Sequence, residues 1–228
     1  DTLAMHEFLN GSGGMALRKD MKLNGVGFEG LFQVDGEPRL TRFGYSFERK
    51  GAAAPVWGGE ITSMKTLEGK IFNLKQTESM HLFFNGDGHG TSLGNTLRES
   101  IGIRRVTFMG TYKIDGADRL VTFAYQDTKK LAETEVWRGS VVGIRNLDGS
   151  MLNNEETRSM NTFLKGDGGQ ALLWQLGMSE SSISFQGILT FKMNGAETSK
   201  IMTFQYSLAE AYDVFGVKAN VVGIQNDD

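Results

Sequence analysis

The chain of 228 residues has no cysteine, only two prolines and no long apolar run. The absence of cysteine excludes a disulfide framework and thiolate metal sites. No stretch reaches the roughly 18 consecutive apolar residues of a membrane-spanning helix, so no membrane span is predicted. The 24 basic and 27 acidic side chains include no basic block, and nucleic acid is therefore not an expected partner.

The first residue is aspartate rather than methionine. A removed signal peptide explains such a start, and so does a fragment cut from a longer chain. Together with the lack of cysteine, this start slightly favours a secreted or extracellular location and leaves the compartment otherwise open.

An internal repeat is the strongest feature of the sequence. Residues 26–83 align with residues 106–163 without a gap, and 21 of the 58 pairs are identical. The matching segments of a third copy are 183–187 with 106–110, 202–206 with 121–125, and 221–226 with 141–146. We therefore predict a single domain made of three repeats, which cover approximately residues 1–76, 77–156 and 157–228.

Each repeat alternates apolar and polar residues as β-strands do. In the second repeat one strand face carries Val106, Phe108, Gly110, Tyr112 and Ile114. An Asp-Gly pair follows at 115–116, and both of its residues tolerate the positive φ of a tight hairpin turn. The first repeat has Asp35-Gly36 at this place, and the third has Asn194-Gly195. The pattern predicts a β-hairpin in every repeat.

Each repeat opens with a Met-X-X-Phe element and a glycine-rich segment. The elements begin at Met5, Met80 and Met160, and the glycine-rich segments cover 10–14, 85–90 and 165–169. We interpret the element as a strand and the glycine-rich segment as a strand-to-strand turn, which gives four strands per repeat and about twelve in all. Helical periodicity is weak and is expected only over short stretches at 92–100 and 207–212.

These features predict an all-β fold with pseudo-threefold symmetry. One four-stranded repeat cannot bury its apolar face alone, so the three repeats should form one closed body. A β-prism with one sheet per repeat is the first choice, and a closed β-barrel or a β-trefoil is the alternative. Gly30, Gly110 and Gly187 share one inward-facing position in mid-strand, which indicates a constraint of the fold at that point.

The glycine-rich segments are the first candidate binding site. The second segment contains Asn85, Asp87 and His89, and the third contains Asp167. Such groups can orient a sugar hydroxyl, and the backbone amides of a glycine-rich turn can bind an anion. The spacing fits neither nucleotide-binding loop, and one carboxylate per segment at most is too few for calcium. The alternative is a plain turn in which Asp bonds its own backbone.

Two tryptophans are the second candidate site. Trp57 and Trp137 occupy equivalent positions in the first two repeats, each after a variable loop. An exposed tryptophan can stack on a sugar ring, as in many lectins, whereas packing in the core is the alternative interpretation. Trp174 has no counterpart in the other repeats and fits either interpretation.

No catalytic or metal-binding set is predicted. His6 and His81 are equivalent, but the third repeat has Asn161, a poor zinc ligand, at their position. The chain lacks cysteine and a Gly-X-Ser-X-Gly nucleophile motif. No cofactor is therefore expected, and an enzymatic activity is left open but not favoured.

Three functions follow from these patterns, in this order. The first is a lectin-like protein without catalysis, in which up to three related shallow sites add avidity for glycans or glycoconjugates. The second is a structural or assembly protein, such as a coat, matrix or shell component, that forms homo-oligomers. The third is an enzyme or small-molecule carrier that uses the interior of a β-barrel.

Overall fold

The computed structural model describes residues 1–48, 56–85, 93–127, 137–176, 182–211 and 214–226. The side chains of Trp57, Trp137 and several other residues beside the gaps also lie outside the described part. The chain divides into two compact units. The first unit comprises Asp1–Phe72, Ser79–Met109 and Ala124–Trp137, and the second comprises Asn73–Glu78, Gly110–Phe123 and Arg138–Asp228.

The described part of the chain contains two helices followed by three strands, and this order occurs three times. The helices are α1 (Thr2–Asn10), α2 (Ser12–Met21), α3 (Leu74–Asn85), α4 (Leu93–Ile101), α5 (Asn154–Lys165) and α6 (Asp167–Gln175). The strands are β1 (Gly25–Val34), β2 (Glu37–Glu48), β3 (Val56–Lys65), β4 (Ile103–Ile114), β5 (Ala117–Asp127), β6 (Trp137–Arg145), β7 (Ser182–Met193), β8 (Ala196–Ala211) and β9 (Val214–Asn226). The predicted abundance of strands is confirmed, but the chain is not all-β. Among these helices none is both long and apolar enough to cross a membrane.

The Met-X-X-Phe element is helical, and the predicted strand was wrong. The buried side chains of α3 are Thr77, Met80, His81 and Phe84. Their spacing of three and four residues places them on one helix face, whereas a short apolar run by itself fits a strand or a buried helix. We call each run of two helices and three strands a group. A group therefore has three strands, whereas four were predicted for each repeat. The short helix predicted near 92–100 is present as α4, but 207–211 belongs to β8.

The strands hydrogen-bond in chain order, from β1 to β9, in one sheet. Within the first and third groups neighbouring strands are antiparallel. Between groups the pairing is parallel, from β3 to β4 and from β6 to β7. Among the described residues no pairing joins β1 to β9, so the predicted β-prism, closed barrel or trefoil is not confirmed.

The predicted hairpin turns are confirmed at all three places. Asp35, Asp115 and Asn194 have φ angles of 54°, 52° and 54°, and the glycines that follow them have φ angles of 71°, 73° and 85°. Two successive residues with positive φ give a turn whose twist matches that of the flanking strands. The first and third turns set registers in which Val34 faces Glu37 and Met193 faces Ala196.

A stacked aromatic pair lies at the centre of each group. The pairs are Phe28–Tyr45, Phe108–Tyr125 and Phe185–Tyr206, with ring centroids 6.3, 5.9 and 6.2 Å apart. Their ring planes differ by only 4°, 11° and 5°. All three tyrosines are buried. The same two strands of each group thus build the same aromatic core.

Candidate functional site

The mid-strand glycines lie directly against the first helix of each group. A Cβ atom at Gly30, Gly110 or Gly187 would lie 2.5, 2.0 or 2.2 Å from the hydroxyl oxygen of a helix threonine. The three threonines are Thr2, Thr77 and Thr157. Real Cβ atoms do not approach other atoms so closely, so only glycine admits the helix at this distance. The predicted constraint of the fold is confirmed, and its cause is the close approach of a helix.

A tyrosine on the second strand of each group holds the first helix by a hydrogen bond. The pairs are Tyr45–His6 and Tyr125–His81, each with 2.6 Å between Oη and Nδ1, and Tyr206–Asn161, which joins Oη to Oδ1. His6, His81 and Asn161 thus contact a tyrosine in their three groups, and His6 and His81 are buried while Asn161 is half-buried. Each of these three hydrogen bonds connects the first helix of a group to its second strand.

His6 makes a second hydrogen bond, in which its Nε2 lies 2.6 Å from the carbonyl oxygen of Ile101. A carbonyl oxygen only accepts, so Nε2 donates in this contact, and in the neutral imidazole Nδ1 then accepts from the Tyr45 hydroxyl. Burial raises the pKa of the Tyr45 hydroxyl well above its ordinary value and that of Tyr206 to about 12. Both hydroxyls therefore keep their protons at neutral pH and can donate the hydrogen bonds that hold the helices.

The first and third glycine-rich segments are crossings between two helices, so the predicted strand-to-strand turns were wrong there. Residues 86–90 of the second segment lie outside the described part of the chain. A Cβ atom at Gly169 would lie 2.1 Å from the carbonyl oxygen of Leu164, and one at Gly168 would lie 2.3 Å from the ring of Phe163. The same contacts occur in the first group at Gly14 and Gly13. These glycines are needed because the second helix starts against the backbone and a ring of the first.

The polar residues predicted in these segments do not form a shared site among the described residues. Asn85 is the last residue of α3 and is half-buried. Asp167 is the first residue of α6 and is exposed. Asp87 and His89 lie outside the described residues.

The tryptophan prediction stays a prediction. The backbone of Trp57 lies in β3 opposite Phe47, and Trp137 begins β6. Both indole side chains lie outside the described part of the chain. Trp174, on α6, is 52% exposed.

A charged cluster lies at the start of α5. The Glu156 carboxylate accepts hydrogen bonds from Arg119 and Asn146, both at 3.1 Å. It also accepts one from the backbone N–H of Asn153 at 3.0 Å, which closes a capping box. Burial by itself raises the pKa of Glu156, but the hydrogen bonds from Asn153, Asn146 and Arg119 outweigh it and lower the pKa. These hydrogen bonds fix the start of α5.

The third strands of the groups differ in burial although two of them are alike in sequence. Val-Val-Gly-Ile occurs at 141–144 on β6 and again at 221–224 on β9. On β6 the first valine and the isoleucine are 0% and 1% exposed, whereas Val221 and Ile224 on β9 are 48% and 62% exposed. β6 has β7 beyond it, and β9 has no described strand beyond it. The apolar surface of β9 is therefore exposed because of its position in the sheet.

β1 shows the complementary difference. Its inward-facing residues at 26, 28 and 30 are half-buried, whereas their counterparts on β4 and β7 are buried. These counterparts are Val106, Phe108 and Gly110 on β4, and Ile183, Phe185 and Gly187 on β7. We call residues 26–30 of β1 and 221–224 of β9 the end-strand surfaces. Their exposure cannot be predicted from the sequence, because their residues are of the same apolar types as the buried counterparts in the other groups.

Comparison with known proteins gives no family. No protein-family model matches the chain, and no curated protein matches it. Among solved structures, it is similar to the central domain of yeast acetyl-CoA carboxylase, at 9% identity and a TM-score of 0.19. That similarity covers 92% of this chain and 52% of the other, so the chain spans about half of that structure's length. A TM-score this low carries no argument about fold or function.

Proposed function

We propose that the chain is a structural or assembly protein that associates with further copies of itself through the end-strand surfaces. The observation that carries this proposal is the exposure of Val221 and Ile224, whose counterparts on β6 are buried. Clusters of exposed apolar side chains mark interaction surfaces. Covering one such half-exposed side chain contributes on the order of 1 kcal/mol.

The backbone of the end strands supports the same proposal. In the described part of the chain, β1 pairs with β2 alone and β9 pairs with β8 alone. The outer edge of each strand therefore presents backbone groups that an added strand can bind. On both strands the unpaired edge and the exposed or half-buried apolar side chains lie together. One added strand would therefore hydrogen-bond to the edge and also cover these side chains.

We also propose that the three groups are copies of one module of two helices and three strands. Three contacts that recur in the groups support this: threonine on glycine, tyrosine on the first helix, and the stacked aromatic pair. Such a module joins its neighbour by a parallel strand pair. Association between copies would extend this contact, which suits a coat, matrix or shell component.

Replacing Ile224 by lysine is expected to weaken self-association about 100-fold, or about 2.8 kcal/mol, because the contact would then bury an unpaired charge. Ile224 is 62% exposed, so the fold should tolerate the change. Sedimentation equilibrium should give a wild-type average mass that rises with concentration, and a lower mass for I224K at every concentration.

Leu147→Lys is the matched control for that experiment. Leu147 is 54% exposed in the turn after β6 and belongs to neither end-strand surface. The L147K variant should associate as the wild type does. A wild-type chain that stays monomeric at its highest attainable concentration would contradict the proposed function.

Carbohydrate binding is the second candidate. It is favoured by Trp174, because a half-exposed indole suits stacking on a sugar ring. Its further residues are Trp57 and Trp137, as predicted from the sequence. A glycan array with no binding at millimolar ligand would remove this candidate. An enzyme or carrier with a barrel interior has no support, since the described strands do not close into a barrel.

A further inference from the structure

The two parallel contacts within the chain share one register. Ile61 on β3 pairs with Val106 on β4, and Val141 on β6 pairs with Ile183 on β7. In the repeat alignment, position 61 corresponds to 141, and position 106 corresponds to 183. In both contacts, therefore, one position on the third strand of a group pairs with one position on the first strand of the next group.

Each of these two aligned positions also has a third residue, one on β9 and one on β1. In the described part of the chain these two residues have no parallel partner. Val221 on β9 corresponds to Val141, and Val26 on β1 corresponds to Val106. The four paired residues are at most 1% exposed, while Val221 is 48% exposed and Val26 is half-buried. β9 therefore carries one half of a contact that the chain makes twice, and β1 carries the other half.

We propose that copies of this chain join head to tail, with β9 of one copy paired in parallel with β1 of the next and Val221 opposite Val26. The inference rests on the assembly function proposed above and specifies its partner and register. The two surfaces differ, so the contact adds copies in one direction rather than closing a symmetric dimer.

The residues around the proposed pair fit each other. Two valines would replace the Ile–Val and Val–Ile pairs of the internal contacts, and β-branched side chains pack well between strands. Next to it, the internal contact pairs Glu60 with Arg105. The corresponding residues are Asn220 and Gly25, which carry no charge and leave none unpaired.

The incoming β1 also brings its own covering helix. α1 packs on β1 with Thr2 against Gly30, as α5 packs on β7 with Thr157 against Gly187. A β1 strand docked on β9 would thus present the helix-covered surface that β7 presents to β6. The exposed apolar residues of β9 would then have the neighbours that their counterparts on β6 have.

Cysteine cross-linking tests the register, because the chain has no cysteine of its own. Neighbouring strands lie about 4.8 Å apart, within the Cα separation that a disulfide accepts. The double variant V26C/V221C should form a ladder of covalent multimers on mild oxidation, seen on a non-reducing gel and removed by reductant. A mixture of the single variants V26C and V221C should give mainly one cross-linked dimer.

The control variant is V26C/N220C, in which the second cysteine is shifted by one residue to the other strand face. It should give no ladder. If V26C/V221C alters the fold by circular dichroism, L23C/A219C replaces it, because this pair copies the internal contact between Gly59 and Ile103.

The outcomes separate the register from the assembly function. A ladder with V26C/V221C and none with V26C/N220C supports the head-to-tail contact. Equal ladders from both variants, or no ladder from a chain that sedimentation shows to be associated, would overturn the inference and leave the proposed function standing. A monomeric wild-type chain would overturn both.

Discussion

Replacing Gly169 by alanine is expected to lower the free energy of unfolding by about 3 kcal/mol. The added Cβ would lie 2.1 Å from the carbonyl oxygen of Leu164, and that atom belongs to the backbone of α5. Relief therefore requires the two helices to move apart. Alanine's better helix propensity offsets only about 1 kcal/mol, so the clash decides the sign. In a chain of this size, the thermal midpoint measured by circular dichroism should fall by about 6 to 12 °C.

Gly166→Ala is the matched control in the same segment. Its nearest new contact would be the Thr162 carbonyl oxygen at 3.5 Å, an ordinary distance, and its φ is −92°. The midpoint should therefore change by less than about 3 °C. Equal losses in G166A and G169A, or none in G169A, would show that the segment is not a helix crossing.

Gly110→Ala is expected to cost about 2 to 3 kcal/mol of stability. Its Cβ would lie 2.0 Å from the Thr77 hydroxyl oxygen and 3.0 Å from the Thr77 Cβ and Cγ2 atoms, and Thr77 is fully buried. Three close contacts to a short side chain require the helix itself to shift. The loss should appear as a lower midpoint of urea unfolding, with an unchanged dependence on denaturant concentration.

A second substitution, Thr77→Ala, should partly rescue this loss. It removes the two atoms beyond Cβ and leaves Cβ itself 3.0 Å from the new methyl group. T77A alone should cost about 1 kcal/mol, since it removes the hydrogen bond from Thr77 to the Asn73 carbonyl at 2.7 Å. The double variant should show a coupling energy of at least about 1 kcal/mol, and strict additivity would contradict the direct contact.

Gly143→Ala supplies the control for Gly110→Ala. It also lies on a strand, but its Cβ would meet the Thr122 hydroxyl at 3.4 Å, an ordinary contact. A change below about 1 kcal/mol is expected, because no neighbour has to move.

The hairpins could be predicted because their signals are local. Asp35-Gly36 and its counterparts carry the turn chemistry within two residues, and the alternation on either side has a period of two. The mid-strand glycines were also recognised as a fold constraint, since one exception to strand propensity recurs three times. Their partner could not be inferred, because Thr77 lies far from Gly110 in sequence.

The helices at the Met-X-X-Phe elements could not be predicted, because their buried faces contain polar as well as apolar side chains. On α3 the buried face includes Thr77 and His81 as well as Met80 and Phe84, so a purely apolar pattern shows only a short run. The glycines at 13–14 and 168–169 have the composition of turn residues. Their use in a helix crossing depends on a tertiary contact that composition does not carry.

The end-strand surfaces could not be predicted from the repeat itself. Val141 and Val221 lie in identical four-residue stretches, yet one is buried and the other is not. Burial here depends on whether a neighbouring group follows in the sheet. Only the strand order separates an internal copy from an end copy.

Hydrogen exchange measured at low and high protein concentration tests assembly through the end-strand surfaces most directly. The backbone amides of β1 and β9 should exchange more slowly at high concentration, because an added strand would protect them. β8 pairs on both sides within the chain, so its exchange should not depend on concentration. Exchange in β1 and β9 that is equal at both concentrations, in a chain that sedimentation shows to be associated, would contradict the account.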